Sequence, residues 1–219
     1  MFSVGNLLGC IRASKKGYNM SVSNLIEIVS YKKDWPIQFQ QAKLHLADTL
    51  HGLYVSIDHI GSTSVPDLRA KDRIDIQITV AEISENLKKQ IDGRLIKQGF
   101  GASSHNVDHR PPGDKSSEAN WQKLYLAGVH RDWVFTANIH FRKIGHANWR
   151  YPILFRDYLC AHPNSAEAYA RAKEKLAQYL AHNRNGYSDA KDPICDLIMI
   201  AAEEWALRTS WSPVLADFR

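Results

Sequence analysis

Two short stretches carry the residues best suited to chemistry. The first runs His59, Ile60, Gly61, Ser62, Thr63, Ser64, Val65, Pro66, and the second Ile74, Asp75, Ile76, Gln77, Ile78. In the first, an apolar run from Val55 to Ile60 ends in Gly61, Ser62 and Thr63, which reads as a strand entering a tight turn. Glycine lets the backbone approach a ligand closely. Ser62 and Thr63 add hydroxyls to the N–H groups of the turn, so an anion such as phosphate fits there. In the second, Ile74, Ile76 and Ile78 face one side of a strand while Asp75 and Gln77 face the other. A carboxylate aimed out beside a phosphate-sized turn is one way to assemble a metal-assisted phosphoryl site.

Periodicity gives the elements that must hold these stretches. Residues 26–29 read as a short strand. Asp34 is placed as an N-cap with Pro36 in the first turn, and Trp35, Phe39, Ala42, Leu46 and Leu50 recur at helical spacing. Trp35 is read as core rather than as a ligand platform. Residues 82–98 form an amphipathic helix through Ile83, Leu87, Ile91 and Leu95, closed by Gly99. A strand is expected from 100 to 109, followed by a polar, proline-broken loop over 110–117 that reads as a connection more than as a mobile lid. His105, Asp108 and His109 lack the helical spacing of a zinc pair. Strands at 122–129 and 133–142 follow, joined through His130, Arg131 and Asp132. Asn138, His140 and Arg142 then share one face.

From there the period lengthens to that of helices. Residues 151–161 turn Ile153, Leu154, Tyr158 and Leu159 inward. Asn164 with Glu167 matches a capping box that opens a helix to His182, with Tyr169 and Lys173 on one face. A last helix opens near 189–193 and buries Ile194, Leu197, Ile198, Ala201 and Trp205. A loosely packed tail, 209–219, is expected after it. No internal repeat or low-complexity segment interrupts the pattern.

A chain of 219 residues buries a real core. Hydrophobic content of 44% and charged content of 23% are those of a globular protein. A net charge of +5 suits an acidic small ligand. Cys10, Cys160 and Cys195 are odd in number and far apart. They give neither zinc spacing nor a disulfide framework, and a reducing cytoplasm is the expected compartment. Residues 1–24 are expected to be a weakly ordered extension, with 1–19 lying upstream of the domain. Their apolar part is too short and too broken for a signal or a span, and no other run reaches membrane length.

Gly61 and Ser62, a spacer of twelve residues, and Asp75 resemble the signature of the DNA polymerase β-type nucleotidyltransferase superfamily. The string from His59 to Pro66, with Lys71 and Ile74 to Ile76, resembles more narrowly the GrpB family within it. Phe155, Arg156, Asp157, Tyr158 and Leu159, then Pro163, Tyr169, Lys173, Tyr187 and Lys191, extend the resemblance over residues 26–205. It implies an α+β nucleotidyltransferase-like domain at 25–208: a mixed β-sheet flanked by helices, with a helical C-terminal part. It also implies a pocket between sheet and helices.

The candidate ligand-binding residues are His59, Gly61, Ser62, Thr63, Lys71, Arg156, Tyr169, Lys173, Tyr187 and Lys191. Asp75 and His140 are the candidate catalytic pair, and Asp75 the candidate ligand of one Mg²⁺. For four of them a plainer reading stands beside this one. Lys71 is a solvated loop lysine, His140 a satisfied sheet histidine, Arg156 a salt-bridge partner, and Asp75 the partner of Lys71 or Arg73. The superfamily pattern also wants an acid at position 77 and another on a later strand. Here stand Gln77 and a strand, 133–142, without Asp or Glu, so the acidic triad is incomplete.

The expected ligand is a nucleotide, ATP-like or CoA-like, or another phosphorylated small molecule. Nucleotidyl transfer is the enzymatic reading. The rival is a non-catalytic module, because the family resembles the domain appended to some dephospho-CoA kinases, where an accessory role is implied. Nucleic acid is the weaker partner, since the basic residues are spread out and no strand presents an RNA-recognition aromatic pair. The sequence does not fix the oligomeric state.

Overall fold

The computed structural model describes residues 25–128, 130 and 132–214. The expected extension at 1–24, Cys10 and the end of the tail lie outside the described residues. Five strands form one mixed sheet: β1 (Ser56–Ile60), β2 (Ile74–Val80), β3 (Ser104–Val107), β4 (Gln122–Gly128) and β5 (Ala137–Lys143), in the order β1-β2-β5-β4-β3. β2 and β5 run parallel at the centre and the other pairs are antiparallel. Helices α1 (Asp34–Thr49) and α2 (Glu85–Leu95) precede α3 (Ala147–Ala161), α4 (Pro163–Tyr179) and α5 (Arg184–Thr209).

The period-two pattern of β2 decides what each face of the sheet does. Ile74, Ile76, Ile78 and Val80 are buried with Ala137, Ile139 and Phe141 of β5 and Leu124 and Leu126 of β4. Trp35, Phe39, Ala42, Leu46 and Leu50 of α1, with Ile91 and Leu95 of α2, close over them. Each such side chain removed from water contributes about 1.5–3 kcal/mol before ordering costs. Register puts Asp75, Gln77 and Thr79 on the opposite face beside Asn138, His140 and Arg142. A second core, built from α3, α4, α5, Val65 and Leu68, forms the helical C-terminal part.

α3 covers only half of this polar face. Trp149 Nε1 donates to Thr79 Oγ1 at 3.1 Å, and its carbonyl accepts from Gln77 Nε2 at 3.0 Å. Ser56, Gln77 and Thr79 are fully buried there, whereas Asp75 and Asn138 keep part of their surface exposed.

Several local expectations needed correction. Residues 26–29 form no strand; Val29 makes a single bridge to Ala70. Asp34 is the first helical residue, and the cap position, Lys33, has no side-chain bond. α2 starts later than expected, because the Ser84 side chain accepts from Leu87 N–H. The strand expected over 100–109 shortens to the exposed edge strand β3. α3 opens at Ala147. The expected capping box fails because α4 opens on Pro163 and Glu167 instead binds Arg69 and Arg171. α5 begins at Arg184, where the Asn183 side chain accepts from Gly186 N–H; Pro193 lies inside it. Its buried stripe is Cys195, Met199, Ala202 and Ala206, and Leu197 is exposed. Beyond α5, Trp211 is anchored rather than loose, its Nε1 donating to Asp157 Oδ2 at 3.0 Å.

Other readings hold. Gly99, with φ of 94°, closes the turn after α2. The loop at 110–117 is a connection tied by Arg110 and Asp114. Among the described residues no helix is long and apolar enough to cross a membrane.

At the end of β1 the bend requires glycine. Gly61 has φ of 71° and ψ of −172°, a region almost reserved for that residue. A Cβ there would lie 2.4 Å from Asp75 Oδ2. Gly61→Ala should therefore cost about 1–3 kcal/mol in urea unfolding; wild-type stability in that variant would show that the bend relaxes freely.

Candidate functional site

Asp75 sits where β2 meets the bend. Its Oδ1 accepts from Asn138 Nδ2 at 2.7 Å and lies 3.6 Å from His140 Nε2, while its side chain keeps 30% of its surface exposed. Burial works to raise the Asp75 pKa, but His140, then Asn138 and Lys191, hold it below the ordinary carboxylate value. Asn138 Oδ1 in turn accepts from Tyr125 OH at 2.8 Å and from Arg73 Nη1 at 3.2 Å. On its other edge His140 presents Nδ1 to Lys123 Nζ at 3.2 Å and to Arg142 Nη2 at 3.4 Å. Both neighbours are donors, which assigns the imidazole proton to Nε2, on the Asp75 side. Burial and the adjacent Arg142 push the His140 pKa down to about 4, so the ring is neutral at pH 7. His140 is a neutral ring facing the carboxylate, held in place from behind by Lys123 and Arg142.

Behind this pair lies a charged knot. Arg142 donates Nε to Asp108 Oδ2 at 2.8 Å, Nη2 to Asp108 Oδ1 at 3.0 Å and Nη1 to Gln77 Oε1 at 2.9 Å. Lys123 Nζ donates to the same carboxylate, and Asn148 Nδ2 adds a bond at 3.1 Å. Burial alone would raise the Asp108 pKa, but Arg142 and Lys123 depress it strongly. Gln77 is thus committed at both ends, to Arg142 and to the Trp149 carbonyl.

A basic wall faces Asp75. Lys71 Nζ stands 4.3 Å from the centroid of the Tyr187 ring, and the charges of Lys191, Arg184 and Arg73 all bear on it. Crowding by the protein, then Lys191, pushes its pKa down to about 8 although the residue keeps exposed surface. Burial works against the Lys191 charge too, yet Cys195, Asp192 and Asp75 leave its pKa raised. Lys173 is buried, donates to the Arg69 carbonyl at 2.6 Å and has its pKa lowered to about 7, first by burial and then by Lys191. The Tyr187 hydroxyl is buried and has no partner among the described residues.

The structure thus brings Gly61 and His140 against Asp75, and sets Lys71 over Tyr187 with the charge of Lys191 bearing on both Lys71 and Asp75. Ser62 approaches the Tyr169 phenol, whose OH is 3.5 Å from Cys195 Sγ. His59 and Thr63 stand apart. His59 projects to the apolar face, stacks on Phe39 with centroids 4.7 Å apart and pairs with Thr63 Oγ1 at 3.0 Å. Arg156 braces β1, donating to the His59 carbonyl at 2.9 Å and to Asp157 at 2.7 Å. His105 and His109 diverge, to Glu85 and to Asp196. Among the described residues, no group of three His, Cys, Asp or Glu side chains is placed to hold a metal.

The donor set does not fit the Mg²⁺ centre that the superfamily resemblance implies. Mg²⁺ takes anionic oxygens in a near-ideal octahedron. Position 77 offers an amide oxygen already occupied by Arg142, and Asn138 one occupied by Tyr125 and Arg73. One carboxylate, Asp75, remains.

With this geometry in place, comparison with known proteins is informative. Residues 25–200 match the family described as GrpB protein. The chain belongs to the GrpB family. The crystal structure of conserved protein GrpB from Enterococcus faecalis superposes with a TM-score of 0.62 at 25% identity, over 82% of this chain and 99% of that one. UPF0157 protein YqkA of Bacillus subtilis is 30% identical over 180 residues, which is 82% of this chain and 48% of YqkA. A dephospho-CoA kinase of Mycobacterium leprae is 32% identical over 195 residues, 80% of this chain and 47% of the kinase. The chain therefore spans about half the length of these curated relatives. The α+β fold expected for GrpB proteins, a mixed sheet flanked by helices with a helical C-terminal part, is the one observed.

Sequence reasoning missed Tyr125, Arg184 and the role of Asp108, and it set Arg73 against Asp75, whereas Arg73 donates to Asn138, which in turn donates to Asp75. The alternation in β5 already put Asn138 beside His140; what was missing was the register that sets it against Asp75. No local pattern marks Asp108, whose partners lie 15 and 34 residues away.

In this GrpB chain Asp108→Asn leaves Arg142 and Lys123 buried against each other, and a loss of about 3–5 kcal/mol is expected. Because its folded pKa is depressed, the Asp108 contribution is present above the unfolded value of about 4 and is lost as pH falls through the folded value. Acid titration of unfolding should therefore be steeper below about pH 4 in wild type than in Asp108→Asn; parallel curves would contradict this.

Proposed function

We propose that the chain binds a nucleotide or another phosphorylated small molecule in the cleft between the open half of the sheet and α5. One observation carries this reading: four cations, Lys71, Arg73, Arg184 and Lys191, gather near Asp75, with Asp192, 3.5 Å from Lys191 Nζ, as the second acid beside them. Such an excess of positive charge, next to a glycine bend that brings backbone close, suits phosphate oxygens. The ammonium groups act as point charges, and Asp75 sets which side of the ligand can approach.

Nucleotidyl transfer is the less supported extension. In-line displacement on phosphorus needs a nucleophile activated and charge neutralised. His140 is poorly placed to take a proton, since Nδ1 is enclosed by Lys123 and Arg142, and the second acid's position holds Gln77 while β5 (Ala137–Lys143) carries no Asp or Glu. The accessory-module alternative has an observation of its own. A protein named dephospho-CoA kinase matches this chain over only about half its own length, so a CoA-like compound belongs among the ligands tried.

Isothermal titration with ATP, CoA and inorganic phosphate tests the reading. Lys71→Ala and Lys191→Ala should each lower affinity by about tenfold or more, as loss of a charge-assisted contact does. The pH profile has a definite sign. Lys71 is protonated below its pKa of about 8, so affinity should hold at lower pH and fall by up to tenfold per unit above it. Equal affinity in wild type and both lysine variants would overturn the reading.

A further inference from the structure

We infer that the site holds its phosphate directly on lysine and arginine side chains with no divalent metal between, the resident cations doing what a metal does in the parent superfamily. The inference rests on the phosphate-ligand reading above and concerns how that ligand is held.

Three side chains decide it. Asp75 has one oxygen engaged by Asn138 and facing His140, and its other oxygen packed against Gly61. The Gln77 oxygen is sealed beneath α3 by the Arg142 guanidinium, with no surface exposed. The Asn138 oxygen accepts from Tyr125 and Arg73. On either side of Asp75, at positions 77 and 138, the chain therefore carries a neutral amide whose oxygen is already bonded to a donor.

The surroundings act in the same direction. Arg73 reaches Asn138, and Lys191 and Arg184 add their charge beside Asp75 and Lys71. A divalent ion entering this space meets repulsion from these cations, offset by Asp75 alone at the bend, since Asp192 is already paired with Lys191. A phosphate entering the same space meets attraction from each of them. A metal-free polyanion therefore gains more here than its magnesium complex, in which part of the charge is already cancelled.

The test is titration of wild-type protein with ATP and with CoA, once in EDTA and once in excess Mg²⁺, beside titration with Mn²⁺ alone. Affinity in EDTA should equal that in Mg²⁺ within about threefold or exceed it, and Mn²⁺ alone should give no heat. Asn138→Asp removes the amide donor and adds a carboxylate beside Asp75; there Mn²⁺ binding should appear, and a melting curve checks that the variant is folded. Ligand binding only with Mg²⁺, or tight Mn²⁺ binding by wild type, would overturn the inference while leaving the phosphate-ligand reading intact. Absence of ATP and CoA binding in both buffers would overturn both.

Discussion

Everything near the cleft depends on one constraint: a row of polar side chains lies on a sheet face that is partly buried, and each must find a partner. An unpaired buried donor or acceptor costs about 1–3 kcal/mol, and an unpaired charge more. The chain meets this requirement with the Asp108, Arg142 and Lys123 knot, whose arms reach Gln77 and His140. That knot fixes the Gln77 amide, leaves the His140 proton on the side of Asp75 and holds β2, β4 and β5 in register. The open half of the face inherits its geometry from the closed half.

The same knot accounts for the glutamine at position 77, where the resemblance read from the sequence calls for an acid. A glutamine at position 77 can accept from Arg142 and donate to the Trp149 carbonyl at once, whereas a carboxylate could not donate. The residue that weakens the case for metal chemistry is thus the one that joins α3 to the sheet. Charge balance shifts accordingly, with a single acid at the bend and a basic wall from the loop before β2 and from α5. Recognition of an anionic ligand follows from that imbalance more naturally than turnover does.

Much of this was legible in the sequence. Alternation in β2 and β5 gave the two faces of the sheet, the Gly61 bend was marked by its small residues, and Tyr169 and Lys173 were placed on one face of one helix. The role of His59 was not legible, and for Arg156 the salt-bridge reading held, with Asp157 rather than Asp75 as the acid. A family string tells that they recur together but not which way each points. One-residue alternation sends His59 to the apolar side, where Phe39 meets it, and Arg156 is consumed by a backbone carbonyl. The start of α5 was obscured by Pro193, which drew attention away from the Asn183 cap. Partners that meet only through the fold, such as Asp108 with Arg142, leave no trace at short range.

The central claim is geometric: phosphate is held between Lys71 and Lys191, next to the Gly61 bend and Asp75. A crystal structure of the protein soaked with ATP or CoA tests it most directly. The account predicts phosphate oxygens within contact of both ammonium groups and of the bend. Phosphates located on another surface, with Lys71 still stacked over Tyr187 and the space beside Asp75 filled by solvent, would contradict it.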